Sequence, residues 1–253
     1  MLRQMILPTV LLSLAIPLAI RADVSEAPSK LTAAQIADKN VAARGGLQAW
    51  RAVQTLSMSG KLEAGGKQNV QLPFLLEMKR HRKKRLELQF NGQTAVQVYD
   101  GVNGWKVRPF LNRHEVEPYT AEEMKAASMQ ADLDGPLMDY DAKGTKLELE
   151  GIQPVEGHDA YNLKLTLKSG QVQHVWVDAQ TFLEVKVEGT PRRLDGKYHS
   201  VATYLRDYKS VNGLMVPFVL ETAVEGVKRA EKIMIDKVVL NPNLAESRFV
   251  KPL

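Results

Sequence analysis

Histidine is the residue type in this chain best suited to acid–base chemistry or metal binding, and its spacing supports neither. The five histidines stand at positions 81, 114, 158, 174 and 199. No two have the i, i+4 spacing of a helical metal pair, and none lies beside a Gly-x-Ser-x-Gly nucleophile turn. The absence of cysteine excludes thiol nucleophiles, disulfides and cysteine-ligated zinc.

The acidic residues also give no clear site. The segment from Asp139 to Glu150 has the length of a calcium loop, but Lys143 places a cation where an oxygen ligand is needed. Asp132 and Asp134 precede Gly135-Pro136 and are typical of turn-forming acids. We therefore predict no catalytic residue, no metal and no cofactor, although carboxylates or histidines from separate strands could still meet in a hydrolase site.

A run of seven residues without an acid, Lys79–Arg85, is the strongest charge feature of the chain. One interpretation is a solvated turn or strand edge, where lysines discourage aggregation. The other is contact with an anion, such as a lipid head group or an acidic partner. Under that interpretation Lys79, Arg80 and Arg82 are the candidate contacts.

The first 22 residues have the pattern of a secretory signal peptide: Arg3, then an apolar run over 5–20, then Ala22. The run is shorter than the roughly 20 residues of a membrane-spanning helix, although a retained anchor is the alternative. Cleavage would leave a flexible segment over 23–30 and two fewer positive charges than the full chain's +5. So small an excess argues against nucleic acid. We predict a soluble periplasmic monomer without stable membrane insertion.

The elements that would position any site are mostly strands. A helix is predicted over 31–46, with a capping box at Thr32 and Gln35, and a second over 47–53. A third is predicted over 120–130, with a capping box at Thr120 and Glu123. Elsewhere apolar and polar residues alternate with period two, and turn signals such as Asn91-Gly92 and Asn212-Gly213 separate about ten strands.

This pattern predicts a mainly β, α+β fold in a single domain over 31–253. The strands would form a strongly curved antiparallel sheet, an incomplete β-barrel whose concave apolar face is covered by helices. Such an interior either binds a ligand or is filled by side chains.

Several motifs in order resemble the bacterial outer-membrane lipoprotein-sorting proteins, the LolA-like superfamily. They are Ala43-Arg44-Gly45-Gly46 before Trp50, Tyr99-Asp100-Gly101 before Gly104-Trp105, Val155-Glu156-Gly157 before Ala160-Tyr161, Val177-Asp178 before Thr181 and Leu183, Tyr208-Lys209 before Val211, Gly213-Leu214 and Val216-Pro217, and Asn241-Pro242-Asn243-Leu244 before Phe249 and Pro252. The resemblance spans nearly all of 31–253.

The resemblance implies a periplasmic carrier or chaperone that binds acyl chains of lipids or lipoproteins and shuttles them across the envelope. Inner- and outer-membrane proteins are its implied partners. The candidate cavity residues are Met78, Leu88, Phe90, Val98, Trp105, Met124, Met129, Leu165, Trp176 and Phe218. The family's basic residue that tethers the lid corresponds to Arg80, although His81 stands where the family has proline. The alternative is a periplasmic sensor of lipoproteins that acts through a protein partner.

Overall fold

Two capping boxes fix the starts of the helices. The computed structural model describes residues 31–63 and 70–252, so the predicted signal peptide and the segment over 23–30 lie outside it. Thr32 and Gln35 exchange side-chain and backbone hydrogen bonds ahead of α1 (Ala33–Ala43), and Thr120 and Glu123 do the same ahead of α3 (Ala121–Gln130). Helix α2 (Leu47–Ala52) follows Gly46. All three predicted helices are confirmed.

Fifteen strands and two 3₁₀ turns complete the described chain. The 3₁₀ turns are Pro109–Leu111 and Glu246–Phe249. The strands are β1 (Thr55–Glu63), β2 (Gln71–Lys79), β3 (Lys83–Phe90), β4 (Gln93–Tyr99), β5 (Gly104–Arg108), β6 (Arg113–Pro118), β7 (Lys146–Val155), β8 (His158–Thr166), β9 (Val172–Asp178), β10 (Glu184–Glu188), β11 (Arg192–Leu194), β12 (Lys197–His199), β13 (Val201–Val211), β14 (Leu214–Val224) and β15 (Glu231–Leu240).

Thirteen of these strands form one antiparallel sheet in the order β6-β5-β4-β3-β2-β1-β15-β14-β13-β10-β9-β8-β7. The sheet is not closed, because β6 and β7 end the order, and this confirms the predicted incomplete barrel. Strands β11 and β12 pair separately as a hairpin. The strands exceed the predicted ten because short polar ones, such as β6 and β11, have little apolar alternation and are defined by backbone pairing.

The helices cover one face of the sheet, which we call the inner face. Trp50 of α2 packs with Leu56, Met78 and Val216, and this cluster includes Leu133 and Met138 from the chain that follows α3. Ile36 of α1 and Leu137 complete a second cluster, whose sheet residues are Leu163, Leu165, Val175 and Val177. The segment after α3 therefore joins both halves of the core.

The C-terminal part of the chain packs against the opposite face of the sheet, which we call the outer face. Arg248 pairs with Glu77 and Glu87, at 2.7 and 2.8 Å. Glu246 lies 2.6 Å from both Lys79 and Lys83. These contacts fix the Glu246–Phe249 turn against β2 and β3, with Phe249 almost fully buried.

The described residues belong to one compact unit, 31–253. Within them we find no helix that combines the length and the apolar character needed to cross a bilayer.

Candidate binding site on the inner face

Apolar side chains on the inner face change from buried to half-buried along the strands. Next to α2, Leu56, Met78, Leu214 and Val216 are buried. Further along the same face Phe74, Ala95 and Ile235 are still buried, but most apolar side chains are half-buried: Met58, Leu62, Leu72, Leu76, Leu86, Leu88, Phe90, Phe218, Leu220, Ile233 and Val238. Close packing normally fills a core of this composition, so a half-buried apolar band indicates a surface able to accept a further apolar group.

Helix α3 is tied to the sheet on its β5 side by an ion pair. The Nζ atom of Lys106, on the inner face of β5, lies 2.5 Å from both carboxylate oxygens of Glu123. Burial raises the pKa of Glu123, but the hydrogen bonds and charge of Lys106 and the Thr120 amide outweigh it, so that the pKa lies below its usual value. The carboxylate therefore remains ionised and holds the first turn of α3.

Tyr119 anchors the chain just before α3. A Cβ atom at Gly104 would lie 2.0 Å from the Tyr119 ring, so only glycine allows this approach. Tyr119 packs with Tyr99, Ala127 and Ala131, and burial raises the pKa of its hydroxyl. The glycine in the Tyr-Asp-Gly-x-x-Gly motif thus has a physical role in seating α3.

The C-terminal end of α3 is held by two cations of the Lys79–Arg85 run. The Nζ atom of Lys84 donates to Oε1 of Gln130 at 2.9 Å, and the Arg82 guanidinium donates to the Ser128 carbonyl. Cations at this end of a helix are favoured by its dipole. Burial lowers the pKa of Lys84 to about 8.

Arg80 forms a latch between the helices and the segment after α3. Its guanidinium lies 2.8 Å from the Asp134 carboxylate and donates to the carbonyls of Trp50 and Val53 at 2.7 and 2.8 Å. Arg44 donates to the Asp134 carbonyl at 2.7 Å and lies 3.6 Å from Glu184. Both arginines therefore converge on Asp134, which is almost fully buried.

Contacts of α3 on its other side are neutral or long. The Met129 sulfur accepts from the Gln171 amide and lies 3.8 Å from the Thr190 hydroxyl. The Tyr198 hydroxyl of the β11–β12 hairpin lies 3.2 Å from Glu122. The charged contacts that hold α3 lie on its β3–β5 side. Release of the opposite side of α3, next to Gln171, Thr190 and Tyr198, therefore breaks fewer strong contacts.

The predicted cavity residues fall into three groups. Met78, Leu88, Phe90, Leu165 and Phe218 lie on the inner face, where Met78 and Leu165 are part of the packed core. Met124 and Met129 lie on α3. Val98, Trp105 and Trp176 lie on the outer face and are thereby removed from the candidate site.

The strand register explains this correction. Leu88 pairs with Ala95 and Lys84 with Tyr99, so the odd-numbered residues of β4 share the inner face and Val98 does not. Val98 in turn pairs with Trp105. Trp176 packs with Val155 and Ala160, and Nζ of Lys186 lies 4.0 Å from its ring centroid. A shift of one residue reverses the face of every side chain in a strand.

The basic run Lys79–Arg85 is used internally rather than as one solvated patch. Arg80, Arg82 and Lys84 contact α3 or the segment after it, while Lys79 and Lys83 pair with Glu246. The sequence pattern indicates a turn at Asp134 and does not identify Arg44, Lys106 or Glu123 as tethers. The sequence identifies Thr120 and Glu123 as a capping box. It does not identify Lys106, 17 residues earlier in the chain, as the ion-pair partner of Glu123.

The acidic residues considered as metal ligands also have structural partners. Asp139 pairs with Arg51 at 2.5 Å, and Lys143 pairs with Asp132 at 2.7 Å. His174 lies 2.5 Å from Glu188 on the outer face. Over 31–63 and 70–252, no group of three or more metal-ligating side chains is found.

A groove of about 540 Å³ lies at the end of the sheet away from α2. It is lined by Val70, Gln71 and Pro73 from the start of β2 and by residues 89–94 of the β3–β4 turn. Phe90, one of the predicted cavity residues, is part of this lining. Gln71, Pro73, Gln89 and Thr94 of this lining lie on the outer face, so the groove runs along the rim of the sheet and Phe90 is where the half-buried apolar band meets it.

Comparison with solved structures identifies the fold. A LolA superfamily protein from Nitrosomonas europaea matches with a TM-score of 0.58 and 13% identity over 88% of this chain and 99% of its own. An outer membrane lipoprotein-sorting protein domain from Vibrio parahaemolyticus matches with a TM-score of 0.57 and 14% identity, over 86% and 95%. A DUF1329 family protein from Desulfovibrio piger matches with a TM-score of 0.56 and 16% identity, over 87% and 98%.

No protein-family model matches the sequence, and no curated protein does. The likeness is one of structure at low sequence identity.

Proposed function

The chain has the LolA-like fold that its sequence motifs implied, and from this premise we propose that it is a non-enzymatic periplasmic carrier. It would bind acyl chains of lipids or lipoproteins between the inner face and α3, and shuttle them across the cell envelope. The observation that carries the proposal is the half-buried apolar band on the inner face, the face to which Lys84 and Lys106 tie α3.

The physical basis is the hydrophobic effect. Each methylene group removed from water contributes about 0.8 kcal/mol, so a chain of a dozen or more methylenes can bind reversibly to such a band. Leu, Met and Phe side chains dominate the band, and Met adapts its shape to varied ligands. These residues suit an acyl chain better than a polar ligand.

The contacts of α3 favour a lid that opens. Lys106, Lys84 and Arg82 hold it through polar groups, while its apolar packing is limited to a small cluster around Tyr99 and Ala127. Such a helix can leave the sheet without disruption of the two main core clusters. Arg80 with Asp134 would limit this motion, which is the role that the resemblance gives to Arg80.

Lipid extraction of natively purified protein tests the proposal. We expect near-stoichiometric phospholipid or acylated peptide by mass spectrometry, absent from a control preparation that was denatured and washed. Protein that carries no lipid and takes up no fluorescent fatty acid would contradict a carrier. A stable complex with an envelope protein would then favour the sensor alternative.

Adjacent residues of β3 provide a matched pair of variants for the binding face. Leu88 is half-buried on the inner face, and Gln89 is exposed on the outer face. Leu88→Asp should weaken binding of a fluorescent fatty acid at least tenfold, because a carboxylate would replace apolar lining. Gln89→Asp should leave it unchanged. Equal effects of the two would argue against the inner face as the site.

A further inference from the structure

The connections between strands place two contrasting surfaces at opposite ends of the sheet. In an antiparallel meander, alternate connections lie at the same end. The β2–β3 and β13–β14 turns lie beside α2 and Arg80, at what we call the closed end. The β1–β2, β3–β4, β5–β6, β8–β9, β10–β13 and β14–β15 connections lie at the other, which we call the open end.

Exposed apolar side chains concentrate at the open end. Within the described chain, nine large apolar residues are exposed, and six of them lie on or beside open-end connections. These six are Val70, Leu111, Val172, Leu194, Tyr198 and Val227. Tyr198, at the β11–β12 hairpin, is 65% exposed. The open end therefore carries most of the exposed large apolar side chains of the described residues.

Unpaired cations lie among these apolar groups. Over the described residues, the side chains of Lys168, Arg193, Lys197 and Lys228 form no ion pair or hydrogen bond. Arg193 precedes Leu194, Lys197 precedes Tyr198 and Lys228 follows Val227, while Lys168 lies on the β8–β9 connection four residues before Val172. By contrast, the six Lys and Arg side chains of the basic run at the closed end all have polar partners, which are Glu246, Asp134, Glu87, the Ser128 carbonyl and the Gln130 side chain. The open end therefore offers free positive charge next to exposed apolar groups.

We propose that the open end docks on the surface of a bilayer that contains anionic phospholipid. Basic side chains near such a surface attract it, and exposed Tyr, Leu and Val side chains can enter the head-group region. The six apolar residues lie on five separate connections, so they are isolated points rather than a continuous patch. A fluid lipid surface fits isolated points, whereas a protein interface needs a contiguous core.

Docking of the open end on a bilayer rests on the proposed carrier function and adds how the binding face would be oriented toward the membrane. The half-buried band reaches the open end through Leu62 and Leu72, and through Phe90 beside the groove. Docking would therefore set the mouth of the binding face on the bilayer. Tyr198 also contacts Glu122 of α3, so its entry into lipid would remove one contact of the lid.

Vesicle co-sedimentation of the whole chain tests the docking. Residues 1–30 are present in every form, so differences between variants report the open end. We expect binding to vesicles of mixed phosphatidylglycerol and phosphatidylcholine, and at least tenfold weaker binding to phosphatidylcholine alone. Arg193→Glu with Lys197→Glu should lower binding to the anionic vesicles about tenfold or more. Lys237→Glu with Lys251→Glu, a charge-matched pair elsewhere on the surface, should leave it within twofold.

A second readout locates the contact. Because the chain has no cysteine, a single Tyr198→Cys variant can carry an environment-sensitive dye, with Val102→Cys at the closed end as its control. Anionic vesicles should shift the emission to the blue at position 198 and not at 102. Equal shifts, or equal losses in the two charge-reversal pairs, would overturn the proposal, as would the absence of vesicle binding.

Failure of docking and failure of the carrier proposal are separable. The Arg193→Glu, Lys197→Glu form should still bind a fluorescent fatty acid in solution, which also shows that it is folded. Leu88→Asp should lose fatty acid binding and retain vesicle binding.

Discussion

At the scale of single residues, Arg80 joins three parts of the molecule. It contacts Asp134 after α3, and the carbonyls of Trp50 and Val53 at the end of α2. The guanidinium fork suits this arrangement because it presents several donors in one plane, which lysine cannot do. The geometry explains why a single arginine can link lid and sheet.

Replacement of Arg80 should therefore loosen this junction. Arg80→Met leaves the nearly buried Asp134 carboxylate without its ion-pair partner, and we expect a loss of about 2 kcal/mol in the free energy of unfolding, between the values for exposed and buried pairs. Urea denaturation measures it. Arg80→Met combined with Asp134→Leu should recover part of the loss, and a double variant as unstable as the sum of the singles would contradict the pairing.

Lys84 gives a prediction about pH. Burial lowers its pKa to about 8 from 10.5, so between these values the unfolded chain binds more protons than the folded one. The free energy of unfolding should therefore contain a contribution that rises with pH from about 8 to 10.5. Lys84→Met should remove that rise, as seen in denaturation at several pH values. Lys146→Met, at an exposed lysine, serves as the control and should retain it.

At the scale of elements, α1 and α3 begin with the same kind of capping box but pack into different clusters. Each has a threonine N-cap whose side chain accepts from the residue three positions on. Helix α1 is packed through Ile36 into a main core cluster, whereas α3 packs mainly through Ala127 into a small one. We therefore expect α3 to open first.

Threonine-to-alanine variants at the two caps compare the helices directly. Loss of a cap costs about 1 kcal/mol. Thr120→Ala should speed hydrogen exchange of the α3 amides roughly fivefold and leave β13 and β14 unchanged. Thr32→Ala is the matched control and should leave α3 exchange as it is. An α3 already as protected as the central strands would contradict its role as a lid.

Acidification should release α3 through Glu123. Its pKa in the folded state lies below the usual glutamate value of 4.5, so the ion pair with Lys106 contributes stability above that pH. The contribution is lost as pH falls further, through the lowered pKa of the folded state. Exchange protection of α3, corrected for the intrinsic rate, should drop in that range. Glu123→Gln should show low protection at neutral pH and little further change on acidification.

At the scale of the whole molecule, the incomplete barrel leaves apolar surface for a ligand to cover. The two main core clusters lie under α1, α2 and the segment 131–138. The half-buried band lies beyond them, toward the open end. A ligand there would complete the core, so binding and stability should be linked.

Thermal unfolding measures that link. A ligand present at a hundred times its dissociation constant stabilises the folded state by about 2.7 kcal/mol, which for a chain of this size corresponds to a Tm increase of roughly 5–10 °C. We expect this increase with a long-chain fatty acid and a smaller one with a short-chain acid. Leu88→Asp should abolish it, whereas an unchanged increase in that variant would place the ligand elsewhere.

The sequence by itself determined the local structure and the class of fold. Capping boxes at Thr32 and Thr120, and the period-two alternation, depend on residues within a few positions of each other, and the structure follows them. The inner-face positions of Leu88, Phe90 and Phe218 agree with the apolar alternation of their strands.

Only the tertiary structure decided which face each strand presents and which charges meet. Val98, Trp105 and Trp176 alternate as convincingly as the inner residues, but pairing with neighbouring strands turns them outward. The partners of Arg80 and Arg248 are 54 and 171 positions away in the chain. Strand register and ion pairs across such separations are set by how the whole sheet packs. Alternation alone does not determine which set of side chains in a strand lies on the inner face.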